Sequence, residues 1–221
     1  MPSKKNYRPR KTTKAQVTKI VNSALQKKIE TKVHTTRQDE LSVSDLTDPN
    51  CIHVLNDIAR GTREDGRIGS HVSAKGLSLR YCLYNANDNT MFARVLVLKA
   101  NGDPQTNYNV DKIFRSSSGS LLNRSGRPMD MVNKINRSKF TPLYDRVHAF
   151  GRTQTGTSDV CRFNKTYISL KALNTQWSEE NAIPQKGQLF LVVLPCRADA
   201  DGTTEKLMEL SFEADYYFND M

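Results

Sequence analysis

A chain of 221 residues carries 33 Lys+Arg against 23 Asp+Glu, a formal net charge of +10, with 37% hydrophobic residues. That length suits one domain with a sizeable core and a tail, and no apolar run approaches the roughly 18–20 residues that cross a bilayer. Met1–Lys5 is charged with no apolar stretch behind it, so neither a secretory signal nor membrane insertion is expected.

The first element in chain order is a cationic arm. From Met1 to Arg37 there are eleven Lys and Arg residues and one acid, Glu30, a net of +10. Beyond Arg37 the remaining 22 basic and 22 acidic residues balance, so the whole excess belongs to the first sixth of the chain. Residues 1–11 hold Pro2 and Pro9 and no apolar period, the composition of a segment disordered on its own. From Thr13 to Ile29 the apolar residues Val17, Ile20, Val21, Ala24, Leu25 and Ile29 recur at threes and fours. That spacing predicts one amphipathic helix, with Thr12 or Thr13 as N-cap. A lone helix of about 16 residues is marginal in water, so its stripe wants a partner, either another copy or the body. It lacks the Trp or Phe that would seat it in a membrane.

Cations concentrated in this way release condensed counterions when they meet phosphates, a favourable and sequence-independent term. The candidate nucleic-acid-binding residues are Lys4, Lys5, Arg8, Arg10, Lys11, Lys14, Lys19, Lys27, Lys28 and Lys32. Arg8-Pro9-Arg10-Lys11 also suits a nuclear localisation signal read by a nuclear import receptor. A domain boundary is expected near residue 30, with an arm over 1–30 and a body over 31–221.

After Thr31 the period changes from helical to alternating. Leu77, Leu79, Tyr81 and Leu83 share one face of a strand, and Met91–Lys99 is a continuous apolar run suited to a buried one. Further strands are expected over Leu143–Phe150, Val160–Leu170 and Gln188–Leu194, the last so apolar that it should be central. Met208, Leu210, Phe212, Ala214, Tyr216 and Phe218 form the buried face of a long final strand. Lys32–Gln38 and Val110–Phe114 are weaker candidates. Irregular stretches are expected at 50–72, 115–139 and 174–187. About eight strands without βα alternation predict an all-β protein, a two-sheet sandwich or an eight-stranded jelly-roll β-sandwich, carrying a basic arm.

Catalytic motifs are missing from the pattern. Gly61 and Gly66 have P-loop spacing, but Arg67-Ile68 follows where Lys-Ser/Thr is needed. His34, His53, His71 and His148 show no paired ligand spacing, and Cys51, Cys82, Cys161 and Cys196 lack a C-x-x-C pair, so reduced thiols are expected. Asp199, Asp201 and Glu205 read as a solvated turn rather than a calcium loop. No enzyme activity, cofactor or metal is expected.

Gly66-Arg67-Ile68-Gly69-Ser70-His71-Val72, followed by the alternating strand Gly76–Leu83, resembles a segment of the capsid proteins of circular Rep-encoding single-stranded DNA viruses. Asn136–Asp145 and the Pro-Gly lead from Pro184 into Leu194 are similar to later strands of the same proteins. The arm from Arg10 to Ile29 is similar to that of the satellite tobacco necrosis virus coat. This sequence departs from the pattern at Lys139 and at Pro142, the latter suited to a strand start or an edge. The resemblance implies a viral structural protein, a T=1 icosahedral homo-oligomeric shell of on the order of 60 copies, with ~600 arm charges turned on a single-stranded genome. It implies DNA as that genome, the virion as the protein's location, and the host nucleus as the place of assembly. The alternative is a non-capsid nucleic-acid-binding, nuclear shuttle or movement protein.

Overall fold

The computed structural model describes residues 14, 16–18, 31–43, 49–63, 65–85, 90–102, 113–114, 131–151, 161–178, 181–197 and 208–220. The chain divides into two units, Met1–Thr31 and Lys32–Met221. In the second unit the described strands are β1 (Lys32–Val43), β2 (Ile52–Val54), β3 (His71–Asn85), β4 (Met91–Ala100), β5 (Phe140–Phe150), β6 (Cys161–Gln176), β7 (Leu189–Arg197) and β8 (Met208–Asp220). They form two four-stranded sheets, ordered β1-β8-β3-β6 and β2-β7-β4-β5. Every strand pairing is antiparallel. The protein is all-β, and the two sheets pack face to face as a sandwich.

The inner faces build the main core. Leu77, Leu79 and Leu83 of β3 and Leu210, Phe212 and Phe218 of β8 meet Val95 and Val97 of β4 and Leu191 and Val193 of β7, all 3% exposed or less. Each such side chain contributes about 1.5–3 kcal/mol by leaving water. The expected buried face of the last strand is buried throughout, and the apolar run of β7 lies inside its sheet between β2 and β4.

A second apolar cluster lies on the other side of β4 and β7. Leu96, Leu98, Phe190, Val192 and Leu194 point away from the main core and are covered by Ile113, Phe114, Met131 and Ile135. The segment between β4 and β5, read from sequence as irregular, thus supplies a lid of apolar side chains. Phe114, at the end of the weak candidate strand, makes an isolated bridge to Ile135. The rest of that candidate lies outside the described residues, as does the Asp199–Glu205 turn.

Several strands run further than alternation predicted, and bulges are the reason. In β1 the register with β8 jumps between Gln38 and Leu41, where Glu40 takes φ 54°, so the alternation breaks before Val43. In β3 the inward residues are Val72 and Ala74 before the irregularity at Lys75, and Leu77 and Leu79 after it. β6 shifts phase at the same place, near Lys171 with φ 31°. A one-residue slip moves a whole set of side chains to the opposite face, which hid the first turn of β3 and the last third of β6. Pro142 is the third residue of β5, an edge strand, beside the register shift opposite Val97 and Leu98.

Candidate nucleic-acid interface

The arm is described at Lys14 and at Gln16, Val17 and Thr18, which have helical backbone and are exposed. The Thr18 hydroxyl donates to the Lys14 carbonyl at 2.9 Å, the back-bond Thr makes four residues along a helix. Lys4, Lys5, Arg8, Arg10, Lys11, Lys19, Lys27 and Lys28 lie outside the described residues, as does the remainder of the helix expected over 13–29.

Lys32 is placed differently from the other candidates. It opens β1 in the second unit, and its ammonium sits 2.8 Å from an Asp220 carboxylate oxygen and donates to the Gly66 carbonyl at 2.9 Å. This cation is already engaged within the β domain. With the boundary at Lys32, nine of the 33 basic residues and Glu30 precede it, which leaves 24 basic against 22 acidic residues for the β domain.

The cations of that domain fall into internal and surface groups. Arg67 is 1% exposed and donates to four backbone carbonyls, those of Ile58, Gly69, Ser178 and Asn181, at 2.8–3.1 Å. Its guanidinium also lies 5.2 Å from the centre of the Trp177 ring. Burial, and then the charge of Arg60, pulls its pKa below the ordinary arginine value. The glycine spacing around it serves a tight loop rather than a phosphate. Gly61 N–H donates to the Arg67 carbonyl, Arg67 N–H to the Ala59 carbonyl, and a Cβ at Gly66 would press on the Gly61 carbonyl oxygen at 2.9 Å.

Arg94 forms a two-pronged contact with Asp145 at 2.7 and 2.9 Å and donates to the Asn133 carbonyl, which fastens β4 to β5 and to the covering segment. On the exposed face of the other sheet Arg80 pairs with Glu213 and Asp215, and Arg37 pairs with Asp39. Lys165 and Lys171 of β6 are exposed and have no ion-pair partner among the described residues.

The histidines and cysteines stay apart from one another as metal ligands. His34 faces Asp57, His53 the Asn50 carbonyl, His71 Ser70, and His148 the Tyr81 hydroxyl. Among the described residues no three His, Cys, Asp or Glu side chains converge on a metal-sized site. All four cysteines are free thiols. Cys82 and Cys161 approach to 3.5 Å, and burial followed by that contact raises the Cys82 thiol to about 12. Among the described residues no helix is long and apolar enough to cross a membrane.

Sequence reasoning passed over two exposed aromatics of β6, Phe163 at 79% and Tyr167 at 62% exposure. The signal was present in the alternation Phe163, Lys165, Tyr167, Ser169 opposite the inward Ile168 and Leu170, but aromatic strand residues read first as core. No protein-family model matches the chain, and no curated protein is similar to it.

Proposed function

We propose that this chain is a viral capsid protein whose β domain is a jelly-roll shell subunit and whose arm condenses a single-stranded genome. The observation that carries the reading is the nesting of the strand pairs. β1 lies against β8, β2 against β7, β3 against β6 and β4 against β5. A chain folded as one long hairpin and then rolled into two sheets produces that nesting, and rolled antiparallel sheets of this kind recur in viral capsid subunits. An excess of cations ahead of a nearly balanced domain supports the second half of the reading, because phosphate neutralisation needs charge and little shape.

The division of labour follows from the chemistry. A closed shell of identical subunits requires complementary patches repeated about symmetry axes. Ile68, Val132, Val147 and Ile183 are exposed apolar side chains on loops and an edge strand, suited to such patches. The genome preference for DNA rests on the family resemblance, since counterion release scarcely separates the two nucleic acids. The exposed Phe163 and Tyr167 favour, as a second reading, a nucleic-acid-binding protein that forms no shell.

Electron microscopy and size-exclusion chromatography of the expressed full chain separate the two. Closed particles of megadalton mass are expected, and a stable monomer at high concentration refutes the coat reading. In particles, reversing the charges of Lys4, Lys5, Arg8, Arg10 and Lys11 should lower the encapsidated nucleic acid several-fold. Unchanged packaging would remove the arm from the mechanism.

A further inference from the structure

We propose that the outer face of β6 is a stacking platform for the bases of single-stranded nucleic acid, a second contact besides the cationic arm. The proposal rests on the nucleic-acid part of the reading above and not on shell formation.

The strand contains Arg162, Lys165 and Lys171 and no acidic residue. Because Ile168 points inward, Phe163, Lys165 and Tyr167 share the outer face, an aromatic, a cation and an aromatic in sequence. Four residues of extended chain separate the two rings by about 13 Å. The hydroxyl end of the Tyr167 side chain overlies Gly76, since its Oη, Cζ and Cε2 occupy the space that a Cβ there would need. The ring nonetheless stays 62% exposed, with Tyr217 tilted beside it at a centroid distance of 6.4 Å. An exposed aromatic ring held in place at one end is what a base stacks on, whatever its identity.

Beside Phe163 an open depression of about 620 Å³ is lined by Arg37, Arg80, Lys165, Cys82 and Ser211, with Asp39 and Glu213 among its walls. Each carboxylate there already has a partner, with Arg80 shared between two of them. Glu213 and Asp215 are held by Arg80, Asp215 also accepts from the Thr35 hydroxyl at 2.8 Å, and Asp39 is held by Arg37. Lys165 is left between the rings to meet a phosphate. The core of a contact between copies is depleted in lysine, whereas Lys165 stands at the centre of this face and Lys171 further along the strand.

The test uses the full chain and oligo-dT containing photoreactive bromodeoxyuridine, with cross-linked peptides mapped by mass spectrometry. Cross-links are expected within residues 161–171 as well as in the arm. The double variant Phe163→Ala, Tyr167→Ala should lose the former and bind oligo-dT at least about fivefold more weakly at raised salt, where the arm's charge term is screened. Gly76→Ala, which lifts the Tyr167 ring without deleting it, should reduce the cross-links at 167 while leaving those at 163. Thermal melting confirms that each variant is folded. Cross-links confined to residues 1–31, with unchanged affinity in the double variant, overturn the platform and leave the arm reading standing. Absence of any oligo-dT binding by the unmodified chain overturns both. A double variant that loses self-association but keeps its oligo-dT affinity makes the face a subunit contact, which also overturns the platform.

Discussion

The two sheets of the β domain are made of similar numbers of strands yet obey different sequence rules. In β1-β8-β3-β6 one face meets the core and the other is covered by no described element, and β8 alternates buried and part-buried residues along much of its length. In β2-β7-β4-β5 both faces are covered, and β4 is buried at eight of its ten positions. Its cover is the apolar set Ile113, Phe114, Met131 and Ile135, from the long connection that follows β4. The difference shows that an unbroken apolar strand announces a second layer, and that a connection read as irregular is the place to look for it.

The largest effect is expected where one side chain serves the loops of both sheets. Arg67 holds carbonyls from the segments after β2, before β3 and after β6. Arg67→Met should cost about 3–5 kcal/mol, because buried carbonyls then lose their donors. Urea denaturation measures it, and a loss below about 1 kcal/mol would mean that the loops re-form around water.

The covered sheet is the next to break. Leu98 is fully buried beneath the lid, so Leu98→Ala should cost about 2–5 kcal/mol. Phe163→Ala on the outer face of β6 should stay within about 0.5 kcal/mol, the smallest effect of the set. Equal costs at the two positions would erase the distinction between the sheets.

Between these extremes lies the polar link that joins the sheets at one edge. His148 of β5 lies 2.7 Å from the Tyr81 hydroxyl of β3, which also meets Tyr144, and Asn164 of β6 donates to Tyr144 at 2.7 Å. Burial, followed by the charges of Arg146 and Arg162, lowers the His148 pKa from its ordinary 6.5. The unfolded chain therefore takes up a proton that the folded one resists. Stability contributed by neutral His148 is fully present above about pH 6.5 and is lost as pH falls through the lowered folded value, by at most about 1.4 kcal/mol per pH unit. Thermal melting between pH 7 and pH 5 should show the decline, and His148→Gln should flatten it. An identical decline in the variant would assign it to other groups.

Legibility followed the same division. Met208–Phe218 and Leu77–Leu83 were readable because one-sided burial imposes a period of two, and Gln188–Leu194 because two-sided burial removes polar residues altogether. Lys75, Lys171 and Glu40 defeated the reading locally, since a bulge changes the phase without changing the composition. At the candidate interface, the arm's cations were countable, but Lys32 could not be assigned to an internal contact with Asp220 by counting. Phe163 and Tyr167 were concealed by their own residue type, which usually signals core.

By itself the sequence determined where the charge lies and, in the regularly alternating segments such as Leu77–Leu83 and Met208–Phe218, which face meets the interior, because charge and alternation are local properties of the chain; the short β2 inside the stretch read as irregular escaped it. Only the tertiary structure decided the order of strands within each sheet, the carbonyl cage of Arg67, the lid over β4 and β7, and the aromatic face left open on β6. Those depend on residues up to about 180 positions apart, as in the bond from Thr35 to Asp215, and such partners are chosen by whole-domain packing, which no local pattern encodes.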